Sequence, residues 1–172
     1  MIGDHQIHNV STSIAASRKI FNISDINIKN SMKKMRLKGR LEEIKSGKLK
    51  NLIGENRLII DGGHNINSAI SISNWVKQQN EKVHLICGMM NDKPHKEFVN
   101  QFENSVNSIT LIDIPNQEGS ISKEEFKKKL GNKNIHTAES IEESLMLNNK
   151  DKNCIFLCAG SLYLAGEVLN LN

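Results

Sequence analysis

The apolar run Leu58-Ile59-Ile60 ends in a carboxylate, two glycines, a histidine and an asparagine: Asp61-Gly62-Gly63-His64-Asn65. A buried strand would deliver Asp61, the glycines remove side-chain bulk, and His64 and Asn65 open the next helix. An anion or a nucleotide can approach such a glycine-lined turn and the N–H groups of a helix start. Asp61 would accept hydrogen bonds from hydroxyls or amines. The same residues also suit a plain turn that caps a helix. A second segment, Cys158-Ala159-Gly160-Ser161-Leu162-Tyr163-Leu164-Ala165-Gly166, ends a strand at Gly160. Ser161 is there both a natural N-cap and a candidate ligand hydroxyl. A third, Gly88-Met89-Met90-Asn91-Asp92-Lys93-Pro94, is polar after a buried strand. In it Asp92 reads as a cap for the helix that Pro94 begins. Lys93 reads as a solvated lysine or as one facing the same cleft.

Other chemistries lack their residues. There is no G-x-x-x-x-G-K-[ST] phosphate loop and no G-x-G-x-x-G fingerprint, and no G-x-S-x-G elbow. His5, His8, His84, His95 and His136 have no metal-ligand spacing with cysteine or acid partners, and read as surface or core histidines. Cys87, Cys154 and Cys158 lie in apolar runs and read as small buried hydrophobes, not as a disulfide or zinc framework.

These segments need a scaffold that brings strand ends together. Leu58–Asp61, His84–Gly88, Ile109–Asp113 and Cys154–Gly160 are apolar runs that fit strands buried on both faces. Strands are expected at 40–44, 57–61, 82–88, 108–113, 134–137 and 153–159, with Gly- and Lys-containing turn material between the first two. Helices are expected at 67–79, with Ala69, Ile70, Ile72, Trp75 and Val76 inward, and at 94–102, 122–130, 140–147 and 161–171. Ser122 with Glu125 makes a capping box. This alternation predicts an α/β fold: an open, mostly parallel sheet with helices on both faces. In such sheets ligands bind outside the carboxyl ends of the strands, near a switch in strand order.

Before it, residues 5–19 place Ile7, Val10, Ile14 and Ala15 at helical spacing. A second helix runs from Ser24, its N-cap, to about Met35, with Ile28 and Met32 on one face. The expected boundary is therefore 1–38, a helical segment, and 39–172, the sheet domain.

The chain has 172 residues, enough to bury a core without disulfides or structural metals. Hydrophobic residues are 38%, charged residues 24% and mean hydropathy is −0.42, a globular balance. No apolar run approaches the ~20 residues of a membrane span, and the first residues lack a secretory pattern. A cytoplasmic protein is expected. The net charge is +4, but 19 acidic residues offset 23 basic ones and aromatics are only 4%. Nucleic acid and membrane partners are not expected.

Five motifs stand in a telling order: GDHQIHN (Gly3–Asn9), GRLE (Gly39–Glu42), DGGHN (Asp61–Asn65), GMMNDK (Gly88–Lys93) and GSLYLAGEV (Gly160–Val168). In this the chain resembles folylpolyglutamate and dihydrofolate synthases of the Mur ligase superfamily, over nearly its whole length. The resemblance implies the carboxyl-terminal part of an ATP-dependent ligase. ATP phosphorylates a folate carboxylate, and the amine of glutamate attacks the acyl phosphate. It implies a Rossmann-like sheet in which 40–44 is the one antiparallel strand, preceded by two helices of a central domain. The implied cofactors are ATP and Mg²⁺, with the P-loop and most Mg²⁺ ligands in an amino-terminal part that these residues do not contain. Glutamate and a folate or dihydropteroate are the implied substrates, a separate P-loop half is an implied partner, and no turnover is expected from the 172 residues alone.

Carried over motif by motif, Asn9 and Arg40 would contact the nucleotide, guanidinium with phosphate being a favoured bidentate pair. Asp61 would join them at the ribose, and His64 and Ser161 would lie near the acyl phosphate and glutamate. The family usually reads DGAHNP. Gly63 here replaces the alanine and Ile66 the proline, so a looser helix start is expected, and Lys38 replaces the proline before Gly-Arg. Two other classes remain open. One is a non-catalytic nucleotide- or folate-binding module, or a decaying gene product that still folds. The other is a protein-interaction domain on the same sheet.

Overall fold

The computed structural model describes residues 4–35, 37–131 and 135–172. Gly3 of the first motif, Asn134 at the start of an expected strand, and the side chains of His5 and His8 lie outside the described residues. The chain divides into two compact units, Met1–Lys38 and Gly39–Asn172.

The first unit holds helices α1 (Asp4–Ile20) and α2 (Asp25–Lys34). Ser24 caps α2 by accepting the Asn27 N–H at 3.3 Å. Asp25 stands in the first turn and Lys33 and Lys34 in the last, each favourable to the helix dipole. Arg18 of α1 pairs with Asp25 of α2. Large apolar side chains of this unit are open to solvent: Ile7, Ile20, Phe21 and Ile26.

In the second unit six strands alternate with helices: β1 (Glu42–Ile44), α3 (Lys48–Leu52), β2 (Arg57–Asp61), α4 (Ile66–Val76), β3 (Lys82–Cys87), α5 (His95–Asn100), β4 (Ser108–Leu111), α6 (Lys123–Leu130), β5 (Ile135–Thr137), α7 (Ile141–Leu147), β6 (Cys154–Ala159) and α8 (Leu162–Leu171). The sheet order is β1-β2-β6-β3-β4-β5. β1 runs antiparallel to β2, and the other neighbours are parallel. This is the mostly parallel sheet that the alternation predicted, with the one antiparallel strand that the family resemblance implied.

The pleat sorts the core into two layers. Ile59, Leu85, Leu157 and Ile109 face α4, α5 and α6 through Ile72, Phe98 and Phe126. Leu58, Ile60, Phe156 and Ile86 face α3, α7 and α8 through Leu49, Leu145 and Leu164. Cys87, Cys154 and Cys158 are free and buried, as read from their apolar surroundings. Burial pushes the Cys158 thiol up to about 12, which keeps it protonated and inert.

Several local expectations need correction. β1 begins at Glu42, not at residue 40, because Leu41 takes a left-handed φ of 44°. α3 was expected as turn material; Gly47 at φ 114° swings the chain into one short helix there. α4 starts at Ile66, and its Ile70 is 41% exposed rather than inward. Ser122 accepts the Glu125 N–H, but the Glu125 carboxylate pairs with Lys129 at 3.1 Å. α5 has Pro94 at its cap position without a side-chain cap, and Asp92 pairs with Lys93.

Two buried histidines tie the sheet to its loops. His84 Nε2 donates to Asp151 Oδ2 (3.1 Å), which leaves Nδ1 to accept from Ser108 Oγ (2.8 Å). His95 Nε2 donates to the Met90 carbonyl (3.0 Å), with its ring edge-on to Phe126. Burial pushes both rings below the ordinary histidine value; Asp151 opposes this for His84, and the Met90 carbonyl for His95. Each ring is then neutral when folded at a pH where the unfolded chain binds a proton. Stability from them is full above about pH 6.5 and falls as the pH drops toward their folded values. The urea midpoint should therefore fall between pH 8 and 5.5, with a shallower slope in His95→Gln. A midpoint flat across that range would show that neither ring is held neutral.

Candidate active site

Asp61, Ala159 and Cys87 stand in register at the carboxyl ends of β2, β6 and β3. The next residue on each strand is a glycine: Gly62, Gly160 and Gly88. Gly62 and Gly160 have no room for a side chain unless a neighbour shifts, and Gly88 has little. A Cβ on Gly62 would lie 2.2 Å from Leu162 Cδ2, and one on Gly88 3.0 Å from Ile114 Cγ1. Gly160, at φ 113°, would place a Cβ 2.8 Å from the Gly88 carbonyl and 2.9 Å from Cys87 Sγ. The Gly160 N–H donates to the Gly63 carbonyl at 3.0 Å, which joins two of these turns directly.

Beyond the glycines the chain parts. The turn after β2 leads to α4 on one face of the sheet, and the turn after β6 leads to α8 on the other. Adjacent parallel strands whose following helices diverge leave a crevice at their carboxyl ends, where ligands of open α/β sheets bind.

Asp61 sits at the base of this edge, 2% exposed. Its Oδ1 accepts the Gly63 N–H at 2.7 Å and its Oδ2 accepts the Leu41 N–H at 2.8 Å. Arg40 Nη1 lies 3.8 Å from Oδ1, with its side chain 35% exposed. Three further features shape the Gly39-Arg40-Leu41 turn. Gly39 has φ 63°, its N–H donates to Glu42 Oε2 (2.7 Å) and its carbonyl accepts from Gly62 (2.8 Å). Leu41 in the left-handed region costs about 1–2 kcal/mol. The turn survives because its backbone is tied at every residue but Arg40.

His64 Nδ1 lies 2.9 Å from the Gly62 carbonyl. A carbonyl only accepts, so Nδ1 carries the proton and Nε2 is the nitrogen able to accept one. Asn65 and Ser68 close the start of α4 with a reciprocal capping box. That box corrects the looser start expected from Ile66 in place of proline. It also fits Gly63, because a Cβ there would meet the Ser68 side chain at 2.7 Å. Ser161 is buried, and its Oγ accepts the Tyr163 N–H at 3.1 Å, so it caps α8. Lys93, half-buried, pairs with Asp92 at 2.7 Å and holds that carboxyl below its usual range, with His64 adding to the effect.

The second unit thus gathers Arg40, Asp61, His64 and Ser161 on one sheet edge. Asn9 belongs to the first unit, exposed on α1, its carbonyl accepting from Ser13 Oγ. Sequence reasoning missed the part of Leu41 and Glu42. The visible signal was a glycine followed at the third position by a glutamate in a short loop.

The family model described as "Mur ligase, glutamate ligase domain" matches residues 39–162. The chain belongs to this family. The match covers the whole sheet and the start of α8, and so takes in the carboxyl edge described above. Among curated relatives, the chain is 23% identical over 167 residues to a dihydrofolate synthase/folylpolyglutamate synthase of Buchnera aphidicola, covering 94% of this chain and 38% of that protein. Among solved structures it resembles a Mycobacterium tuberculosis folylpolyglutamate synthase complexed with ADP and AMPPCP. The TM-score is 0.83 at 17% identity, covering 98% of this chain and 40% of the other. Escherichia coli FolC in complex with DHPP and ADP gives 0.74 at 20% identity, covering 94% and 38%. These likenesses show a Mur ligase carboxyl-terminal fold. The chain spans about two fifths of the length of the relatives it matches.

Among the described residues, no group of three His, Cys, Asp or Glu side chains is arranged to hold a metal ion, and no helix is long and apolar enough to cross a membrane.

Proposed function

We propose that this chain supplies the nucleotide- and glutamate-side domain of an ATP-dependent folate–glutamate ligase, working with a P-loop part outside these residues. The observation that carries the reading is the strained Gly39–Leu41 turn, which presents Arg40 beside Asp61 at the sheet's switch point. Membership in the Mur ligase glutamate ligase family supports it. So does the likeness in fold to synthases solved with ADP.

In this reading Arg40 and Asp61 form the nucleotide side of the second unit, with the guanidinium set against phosphate. His64 faces the acyl phosphate and the incoming glutamate, and Ser161, buried at the cap of α8, supports that end of the edge. With Nδ1–H fixed on Gly62, His64 Nε2 can take a proton from the amine as the amide forms. Mg²⁺ neutralises phosphate charge in such ligases. The resemblance assigns its ligands to the P-loop part, and no step here runs through it. Phosphoryl transfer needs that phosphate cradle, so the 172 residues alone give no ligation.

The test has two arms. Calorimetric titration should give saturable ADP binding, weakened about tenfold to a hundredfold by Arg40→Ala, the usual cost of about 1.5–3 kcal/mol for a charged hydrogen bond. A ligation assay should give product with a P-loop half added and none without it. ADP binding with no product in either case would favour a binding module. A folded sample that binds nothing would overturn the reading.

A further inference from the structure

A serine, a histidine and a carboxylate meet at the amino-terminal end of the sheet, away from the carboxyl edge. Strand register places Ser108, the first residue of β4, beside His84 of β3, with Phe156 of β6 on the other side of the ring. His84 is buried. Its Nδ1 accepts from Ser108 Oγ at 2.8 Å and its Nε2 donates to Asp151 Oδ2 at 3.1 Å. Lys82 Nζ lies 3.2 Å from Asp151 Oδ1 and holds that carboxyl below its usual range. Asn148 Nδ2 donates to Ser108 Oγ at 3.2 Å. The loop that brings Asn148 and Asp151 is itself fixed. Buried Asn56 donates to the Asp151 carbonyl at 2.9 Å and accepts the Cys154 N–H at 3.1 Å.

Tying a loop to a sheet needs only one such bond. Here the donors run in one direction, from Ser108 through His84 to Asp151. A hydroxyl whose proton points at a neutral imidazole, backed in turn by a carboxylate, is the arrangement of a serine nucleophile and its base. Such a constellation is recognised by geometry and roles, not by fold or sequence position. The strand register does here what a strained elbow does in other hydrolases. Asn148 adds an amide donor beside the oxygen where negative charge would develop. Ser108, Asn148 and Asp151 are half-buried, so a small molecule reaches the hydroxyl and a folded chain does not.

We infer that Ser108 is a nucleophile toward small carboxylic esters, with His84 as its base, Asp151 as the residue that positions the ring and Asn148 as donor to the oxyanion. Ser108 Oγ bonds to the ester carbonyl carbon as its proton passes to His84 Nδ1. The imidazolium gives that proton to the leaving alcohol oxygen as the ester C–O bond breaks, which leaves acyl-Ser108. Water then attacks the acyl carbon, losing a proton to His84, and the acid departs as Ser108 regains its own. The reaction is separate from the carboxyl edge and needs neither a nucleotide nor a P-loop part.

The test treats the full 172-residue chain with a fluorophosphonate and with p-nitrophenyl acetate, and maps the adducts by mass spectrometry of peptides. Wild type should carry the phosphonyl or acetyl group on Ser108, and Ser108→Ala should carry none at that position. Asp151→Asn should slow phosphonylation of Ser108 by about tenfold or more, because the imidazolium loses its partner. Burial and Lys82 hold His84 below the ordinary histidine value, with Asp151 opposing them. The wild-type rate should therefore be constant above about pH 6.5 and fall below it as the ring gains a proton. In Asp151→Asn the fall should move to lower pH.

Adducts confined to lysines and other serines, with Ser108 unmodified, would overturn the inference. Equal rates for wild type and Asp151→Asn would overturn it as well, since the serine would then react without the relay. Should either variant fail to fold, as circular dichroism would show, the wild type decides. Label on Ser108 with the stated pH profile upholds the inference. A rate indifferent to pH between about 5 and 8 overturns it, because a histidine base titrates in that range.

Discussion

Gly160→Ala should destabilise the second unit by about 3 kcal/mol, the sum of two costs. The first is backbone: φ 113° is a region that residues with a Cβ rarely adopt, at about 1–3 kcal/mol. The second is steric. The new methyl would press on the Gly88 carbonyl and Cys87 Sγ, both below 3.0 Å and both fixed in the sheet, at about 1–3 kcal/mol for a packed site. Gly54 separates the two costs: it also has positive φ, at 58°, but open space around its Cβ position. Gly54→Ala should therefore cost about 1 kcal/mol only. Paired thermal melts should show Gly160→Ala lower in Tm by about 10 °C, and Gly54→Ala by a few degrees. Equal shifts would mean that Gly160 is not packed against Gly88 and Cys87.

The other large effect is expected at Phe156. This ring is fully buried in the central strand β6, against the α7 and α8 side of the core. It lies opposite His84 on β3, with ring centroids 5.6 Å apart. Phe156→Ala removes most of a large side chain from a layer bounded by two strands and two helices, which cannot close around the gap. The expected loss is about 4 kcal/mol; Phe156→Leu, which keeps most of the volume, should lose about 1.5 kcal/mol. Urea unfolding of both checks this. A loss below about 1.5 kcal/mol for the alanine variant would mean that the layer collapses into the space or was never tightly filled.

The sequence made the strands legible because each is an apolar run of the right length between polar turns. Ile59, Leu85 and Leu157 were bound to be buried whichever neighbours they met. It made the DGGHN and GS turns legible as strand ends, and β1 as the antiparallel edge through its family resemblance. It could not give what depends on register. That Gly62, Gly160 and Gly88 fall in one row follows from β6 lying between β2 and β3, a pairing of residues about 70 to 100 apart. The partners of Asp61 are hidden for the same reason, since Leu41 meets it only after β1 has folded back on β2. Ile70 was misplaced by a smaller effect: it is one residue from Ala69 on a helix whose buried stripe is narrow. His84, read as a surface or core histidine, is a core one, and its partner Asp151 is named by no local pattern.

The position of β6 also bears on how the chain reaches its native state. It is the last strand synthesised and the third across the sheet. Until residues 154–159 emerge from a ribosome, β2 and β3 each hold an open inner edge, and the two halves of the sheet have nothing to join them. Contacts of such long sequence separation form slowly, and unpaired edges invite pairing with other chains. Vectorial synthesis therefore keeps this sheet open until β6 emerges, and the strand that completes the carboxyl edge is also the one that seals the sheet.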